Sequence, residues 1–209
     1  MILKEESMLI ERPPRIFRSL FPGATFRLDT PLKQVMLTFD DGPIPEATPE
    51  ILGILRQYGV KATFFLVGDN VRKYPHLLQK IVADGHSIGN HTMHHLQGLR
   101  TPVEKYMADV ESADTFIGSP LFRPPHGLLT SAQLKRLGER HKIVMYDLVT
   151  RDYSRRLNSE DVYRNVVRLT RPGSIIVFHD SLRSIEKLRT ALPRCLEWLR
   201  REGYECITL

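Results

Sequence analysis

The chain has 209 residues, of which 42% are hydrophobic and 26% charged, so it can bury one sizeable core and lacks the composition of a disordered protein. Its 30 basic and 24 acidic residues give a net charge of +6. Because the two signs are interspersed, this charge is typical of a solvated surface and predicts no nucleic-acid partner. No stretch approaches the roughly 18 apolar residues that a membrane helix needs, and residues 1–19 lack the apolar core of a signal peptide. We therefore expect a cytoplasmic protein without a membrane span, while association with the cell envelope stays open.

The N-terminal residues 1–30 are predicted to form an irregular arm, because Pro13-Pro14 and Pro22-Gly23 interrupt scattered apolar residues there. The remaining residues 31–209 are predicted to form one globular domain, because a segment of this length is ordinary for a single core. Nothing in the sequence predicts an oligomeric state.

Beyond the arm, apolar strands alternate with amphipathic helices. The first predicted strand begins at Val35 and ends in the acids Asp40 and Asp41, and the later strands are 62–67, 86–89, 121–123, 143–146, 175–178 and 205–208. The predicted helices start at Pro49, before Leu77, at Pro102, after the cap Thr130, after Asn158 or Ser159, and after residue 180, the last being interrupted at Pro193. This repetition gives about seven βα units. It predicts an α/β fold, a distorted (β/α)7-type barrel with a mostly parallel sheet.

Polar residues follow the predicted strands. Each of the following lies at or just beyond the C-terminal end of a strand: Asp40, Asp41, His91, Arg123, Asp147 and His179. In barrels of parallel strands this end carries the functional site. We therefore expect these side chains to share one pocket.

Two of these segments have the residue types of a metal site. Adjacent residues on an extended chain point to opposite sides, so one of the two aspartates can bind a metal while the other accepts a proton. His91, His94 and His95 lie at i, i+3 and i+4, where two imidazoles can bind one ion together with Asp41. Such a two-histidine, one-carboxylate set leaves coordination positions for water and substrate. His91 pairs with His95 or, as the geometric alternative, with His94.

The same residues belong to an ordered series of motifs. They are Thr38-Phe39-Asp40-Asp41-Gly42-Pro43, His91-Thr92-Met93-His94-His95, Arg123-Pro124-Pro125-His126-Gly127 and Ile175-Ile176-Val177-Phe178-His179. In order and content this series resembles that of the polysaccharide deacetylases that share the NodB homology domain, carbohydrate esterase family 4. The motifs extend over most of the predicted domain. The resemblance implies a NodB-like fold with residues 31–209 as the catalytic domain, and it selects His95 over His94.

The resemblance also implies a cofactor. Asp41, His91 and His95 would hold one divalent metal ion, expected to be zinc, with cobalt, nickel or manganese as alternatives. A metal ion of this kind lowers the pKa of bound water towards about 7.

Catalytic roles follow from the same resemblance. Asp40 would be the general base for attack of water on an acetyl carbonyl, and His179 would protonate the departing amine. Arg123 would keep Asp40 ionised and in place, because an adjacent positive charge lowers the pKa of a carboxylate. A backbone N–H near His126 would stabilise the oxyanion.

The third motif departs from the family at one position. His126 stands where the family often has Tyr, and we expect this change to affect substrate fit. Pro125 and His126 are accordingly predicted to contact the substrate. Asp180, directly after the last motif, is expected to cap the following turn.

The fourth motif of the family, Asp-x-x-Asp-Trp, is altered here. It is present only as Val149-Thr150-Arg151-Asp152-Tyr153, so the first acid and the tryptophan are replaced. We expect Asp147 or Asp152 to take over the orienting of the catalytic arginine or histidine, and Tyr153 to offer a ring to the sugar. Asp147 and Tyr153 are therefore predicted substrate-binding residues, with an ordinary structural role as the alternative.

The sequence thus predicts a metal-dependent hydrolase that removes acetyl groups from N-acetylated amino sugars of a glycan or oligosaccharide. Two alternatives stay open. The altered fourth motif is compatible with a catalytically weak carbohydrate-binding protein of the same fold. The same chemistry also serves an O-acetyl ester or a small cyclic amide, because fold and site do not dictate the substrate.

Overall fold

A parallel sheet of short apolar strands forms the centre of the computed structural model, which describes residues 11–209. The strands are β1 (Gln34–Asp40), β2 (Thr63–Leu66), β3 (Ser87–Asn90), β4 (Leu121–Phe122), β5 (Lys142–Ile143), β6 (Leu148–Val149), β7 (Ile175–His179) and β8 (Glu205–Cys206). Their order is β5-β4-β3-β2-β1-β7-β6, and β8 pairs with the start of β1. All of these pairings are parallel. The sheet is a half-barrel, which confirms the predicted distorted (β/α)7-type fold.

Helices cover the outer face of this sheet. They are α1 (Arg15–Arg18), α2 (Thr48–Gln57), α3 (Gly68–Lys73), α4 (Pro75–Ala83), α5 (Val103–Ile117), α6 (Ser131–Gly138), α7 (Ser159–Leu169) and α8 (Ile185–Arg201). Thr130 and Asn158 form capping boxes at the starts of α6 and α7, each satisfying backbone N–H groups of the first turn. Among the described residues, no helix has both the length and the apolar content to cross a membrane.

The central strand β1 is buried on both faces, as expected for a parallel sheet covered by helices. Val35, Leu37 and Phe39 belong to the large core between sheet and helices. The alternate residues therefore face the inside of the half-barrel, where Asp40 ends the strand. In the neighbouring β7, His179 lies directly opposite Asp40. Strand alternation thus places a carboxylate and an imidazole side by side at one end of the sheet.

The predicted strand 143–146 was wrong in its extent. The structure has a two-residue strand, β5, and after a break a second one, β6, that was not predicted. The backbone between them bonds elsewhere: the guanidinium of Arg123 donates to the carbonyl of Met145 at 3.0 Å, and the Met145 N–H donates to Thr25 at 2.8 Å. Two further differences are the unpredicted helix α3 and the continuity of α8, which runs past Pro193.

The described part of the predicted arm, residues 11–30, lies against the open side of the half-barrel. Thr25 donates to the carbonyl of Ile143 at 2.9 Å, and Leu28 donates to Gly173 before β7 at 2.9 Å. Gly173 has a φ of +78°, and a Cβ there would lie 2.0 Å from the carbonyl oxygen of Leu28. This contact therefore needs a glycine. The first ten residues of the predicted arm lie outside the described residues.

Asp147 joins this N-terminal segment to the sheet. Its buried carboxylate accepts hydrogen bonds from Arg18 at 2.7 Å, Arg171 at 2.6 Å and Ser174 at 2.8 Å. Burial alone would raise the pKa of Asp147, but these hydrogen bonds lower it to about 2. The carboxylate is therefore ionised at neutral pH and stabilises the fold.

We expect Asp147→Asn to lower the free energy of unfolding at pH 7 by about 1–3 kcal/mol, since two guanidinium groups lose a charged acceptor. Because the folded pKa of Asp147 lies below its unfolded value, this stabilisation is present above pH 4 and is lost as the pH falls towards 2. Urea unfolding of both proteins at pH 7 and pH 3 measures the effect, with the exposed Asp29→Asn as control. Equal stability of Asp147→Asn and the native chain at pH 7 would contradict this account.

Candidate active site

The turn after β1 separates two adjacent carboxylates. Asp40 continues the strand and faces the inside of the half-barrel, whereas Asp41 has a φ of +80°. This left-handed conformation is uncommon for a residue other than glycine and redirects the Asp41 side chain. The turn continues through a cis peptide bond between Gly42 and Pro43. The two aspartates therefore contact different partners.

Asp41 lies beside two histidines from the turn after β3. Its Oδ1 lies 3.1 Å from Nε2 of His95 and 3.7 Å from Nε2 of His91. One ligand atom from each of the three residues lies within 4.8 Å of the other two, a spacing that suits one ion. The structure thus brings together the predicted metal set.

Protonation states favour metal binding at this cluster. Nδ1 of His91 lies 2.7 Å from the backbone carbonyl of Arg123, which can only accept, so Nδ1 carries the proton and Nε2 is the free ligand atom. Burial lowers the pKa of His91 to about 4, so the imidazole is neutral at pH 7. Burial would raise the pKa of Asp41, but the hydrogen bond with His95 and the neighbouring imidazoles hold it well below its usual range. A neutral imidazole and an ionised carboxylate are the forms that bind a divalent cation.

His94, the geometric alternative, points away from Asp41. Its Nδ1 lies 2.6 Å from Oδ1 of Asp109 on α5. The other oxygen of Asp109 accepts from the backbone N–H groups of Met93 and His94 at 2.9 and 3.0 Å. Asp109 therefore shapes the turn between the two histidines that face Asp41.

Asp40 is held by a buried ion pair. The Nη1 atom of Arg123 lies 2.6 Å from Oδ1 of Asp40 and 2.7 Å from the hydroxyl of Thr38. The guanidinium also donates to the carbonyls of Val144 and Met145, and it lies over the ring of Phe65 at 4.1 Å. Because these contacts hold the buried guanidinium on several sides, the carboxylate of Asp40 that it binds has one orientation.

His179 is paired with the remaining acid of the altered fourth motif. Its Nδ1 lies 2.8 Å from Oδ1 of Asp152, and its backbone N–H donates to Oδ2 at 2.7 Å. Burial alone would lower the pKa of His179, but the charge and hydrogen bond of Asp152, together with Asp41 and Asp40, raise it to about 9. The ring of Tyr153 contacts the imidazole edge-on at 4.7 Å. His179 is therefore protonated at neutral pH, with Nε2 available to donate.

A cavity of about 460 Å³ connects these groups. Apolar side chains line part of it, including Met145, Tyr146, Val149 and Val177. His126 also lines the cavity, and its ring contacts His95 edge-on at 4.9 Å. A small apolar group can therefore lie beside the metal set and the two proton-transfer candidates.

The cavity is bordered by a loop that precedes α8. Leu182 is 64% exposed although it is apolar, and Arg183 beside it is exposed as well. Among residues 11–209, Arg183 forms no hydrogen bond or ion pair. An extended substrate can contact this loop without displacing other interactions.

Three predicted residues lie elsewhere than expected. Asp147 lies just before β6 and beside the N-terminal end of β7, where its N–H donates to the carbonyl of Ile175. It lines no part of the cavity, so the prediction that it contacts the substrate is corrected. The error follows from the break between β5 and β6, since Asp147 begins a strand instead of ending one. Pro125 is buried in a single helical turn outside the cavity lining. Asp180 caps no helix: it accepts from the hydroxyl of Thr48 at 2.6 Å.

Sequence reasoning missed several residues that line the cavity. Tyr146 was assigned only to a strand, and its ring lies 3.2 Å from the position that a Cβ of Gly127 would occupy. Asn70 lies on α3, and its side chain donates to the carbonyl of Asp41 at 2.8 Å. Asn70 follows the C-terminal end of β2, and this position was the available signal.

Comparisons with known proteins agree with this geometry. The family model described as Polysaccharide deacetylase matches residues 27–142. A peptidoglycan-N-acetylglucosamine deacetylase of Bacillus cereus is 35% identical over 85% of this chain and 86% of its own length. A chitooligosaccharide deacetylase of Bradyrhizobium sp. is 31% identical over 83% of this chain and 87% of its own. The solved structure of the Bc1960 peptidoglycan N-acetylglucosamine deacetylase in complex with 4-naphthalen-1-yl-N-oxidanyl-benzamide has a TM-score of 0.87 and 30% identity, covering 94% of this chain and 95% of that one.

We expect Asp152→Asn to lower the pKa of His179 below its native value of about 9, because the substitution removes the charge that stabilises the imidazolium. An imidazole titration by ¹⁵N NMR on the metal-free protein measures this pKa directly. Asp29→Asn, an exposed change outside the cavity lining, is the matched control. An unchanged titration of His179 in Asp152→Asn would refute the assignment of its charge to Asp152.

Proposed function

The chain belongs to the polysaccharide deacetylase family, and on that premise we propose that it is a metal-dependent hydrolase that releases acetate from N-acetylated amino sugars of a glycan or oligosaccharide. One observation carries the proposal: Asp41, His91 and His95 converge while Asp40 and His179 lie side by side on β1 and β7. The cavity beside them has apolar walls that suit an acetyl methyl group.

The residues fit a divalent cation, because one carboxylate and two imidazoles are ligands of the type found in catalytic zinc sites. Family members use a divalent metal, and we propose zinc for this chain. Such an ion, when bound, lowers the pKa of coordinated water and polarises the acetyl carbonyl.

Asp40 and His179 are the proposed proton acceptor and proton donor of the reaction. Asp40, held by Arg123, accepts a proton from the water that attacks the carbonyl carbon. As the C–N bond breaks, His179 donates the proton on Nε2 to the departing amine, while Nδ1 stays bonded to Asp152. The new C–O bond gives acetate, and the sugar keeps a free amine. A backbone N–H near His126 is the proposed oxyanion donor.

The altered fourth motif does not favour a binding protein without activity. Its missing acid is Val149, which lines the cavity, whereas the acid that bonds His179 is Asp152. The proposed proton donor His179 therefore keeps the carboxylate that binds its Nδ1. Val149 instead adds apolar surface near the reacting groups.

We further propose that the substrate glycan carries carboxylates. Curated relatives are named both for peptidoglycan and for chitooligosaccharides, so the family alone leaves this open. The exposed Arg183 at the cavity border provides a positive charge for an acidic substituent of the sugar chain. Leu182 next to it offers apolar contact to a sugar ring.

Removal of the metal tests the reaction. Chelator-treated protein should release no acetate from acetylated chitooligosaccharides or peptidoglycan fragments and should recover with zinc. Asp40→Asn should lower kcat by about 10²- to 10⁴-fold, the usual contribution of a general base, while metal content stays native. Asp41→Asn should lose the metal, and Asp29→Asn should behave as the native chain. Full activity after chelation, or equal metal loss in the Asp40 and Asp41 variants, would refute the assignment.

Arg183→Ala tests the substrate class. We expect a KM about 1.4- to fivefold higher on muramic-acid-containing peptidoglycan fragments, the effect of one exposed ion pair worth about 0.2–1 kcal/mol. On neutral chitooligosaccharides of equal length KM should not change. Arg100→Ala, an exposed arginine outside the cavity lining, is the control. Equal effects of Arg183→Ala on charged and neutral substrates would exclude a role of Arg183 in recognising substrate carboxylates.

A further inference from the structure

The short helix α3 connects the two turns that supply the metal set. The N–H of Gly68 donates to the carbonyl of Thr92 at 2.9 Å, and the N–H of Asp69 donates to Met93 at 3.0 Å. Both acceptors lie between the two histidines that face Asp41. The start of α3 is therefore tied to the histidine turn by its own backbone.

The same segment holds the aspartate turn. The side-chain amide of Asn70 donates to the carbonyl of Asp41 at 2.8 Å, and the N–H of Val67 donates to the carbonyl of Gly42 at 2.8 Å. Residues 67–70 thus bond to both turns. Of these contacts, the one to the metal-binding residue Asp41 is made by a side chain, that of Asn70.

Both turns contain backbone conformations that need such support. Asp41, Thr92 and His95 have φ values of +80°, +65° and +55°. Residues other than glycine hold these conformations at a cost of order 1–3 kcal/mol each, and only where the surroundings fix them. A loss of the bond from Asn70 allows the Asp41 peptide to relax and its carboxylate to turn away from the histidines.

Packing prevents α3 from adjusting its position. A Cβ on Gly68 would lie 2.6 Å from Sδ of Met93 and 3.0 Å from Cβ of Ala113 on α5. The helix therefore contacts the histidine turn and α5 without spare space. Because α3 is held rigidly, it fixes the position of the aspartate turn relative to the histidine turn.

We propose that Asn70 is a positioning residue that fixes Asp41 relative to His91 and His95 and thereby sets the affinity of the site for its divalent ion. The inference deepens the metal site on which the proposed function rests. Asn70 acts through Asp41 in this proposal, because its amide nitrogen donates to the Asp41 carbonyl.

Metal affinity is the direct test, with zinc as the probe. Asn70→Leu keeps the size of the side chain without a donor or charge, and Asn70→Ala removes the side chain. Competition with a chromophoric chelator should show zinc binding about 10- to 100-fold weaker in both variants, the usual cost of losing a supporting hydrogen bond. Thermal unfolding of the metal-free proteins should be unchanged. The neighbouring Asp69→Asn, which loses only surface ion pairs with Arg72 and Lys73, should bind zinc as the native chain does.

A double variant separates positioning from a general loss of structure. If Asn70 acts through Asp41, then Asn70→Leu should have no further effect on the weak zinc binding that remains in Asp41→Ala. Native zinc affinity in a folded Asn70→Leu or Asn70→Ala protein would overturn the proposal, as would additive losses in the double variant. Weakened zinc binding in a protein whose native form releases no acetate would support the role of Asn70 and refute the proposed function alone.

Discussion

The buried guanidinium of Arg123 is the group on which the rest of the site depends. Its side chain bonds Asp40, Thr38 and two backbone carbonyls, and its own carbonyl accepts the proton of His91 Nδ1. One residue therefore orients both the proposed base and one of the proposed metal ligands. A buried guanidinium is costly unless its donors are satisfied, and Asp40 with the carbonyls of Val144 and Met145 satisfies them here. The same bonds to Val144 and Met145 draw backbone carbonyls away from a regular strand, which explains the break between β5 and β6.

Charge is arranged so that neighbouring titratable groups differ in protonation. His91 is neutral because burial lowers its pKa, and His179 is protonated because Asp152 and the aspartates of the site raise its pKa despite burial. Two imidazoles in one cavity thus differ in charge, as their proposed roles of metal ligand and proton donor require. The difference comes from the partner of Nδ1 in each case, a neutral carbonyl for His91 and a carboxylate for His179.

The sequence predicted the half-barrel, because strands and helices have different hydrophobic periodicities. It also predicted the ionisable residues of the candidate site, because metal binding and proton transfer require particular side chains. It did not predict Asn70, whose role lies in a bond to a backbone carbonyl at a left-handed residue. Such a bond leaves no pattern in the residue types. Asp147 was misplaced for a related reason. The break before β6 is caused by two hydrogen bonds of Met145, whose carbonyl accepts from Arg123 and whose N–H donates to Thr25, and both partners are remote in sequence.

The altered fourth motif is consistent with the contacts that His179 and Arg123 make. An acid after β6 has to accept the Nδ1 proton of His179, and Asp152 is placed for this by its second bond to the His179 backbone. Arg123 requires no acid at position 149, since it is already satisfied by Asp40, Thr38 and two carbonyls. A valine there removes a negative charge from the cavity wall without leaving a buried cation unpaired. The replacement is therefore compatible with the proposed chemistry and makes the cavity wall more apolar.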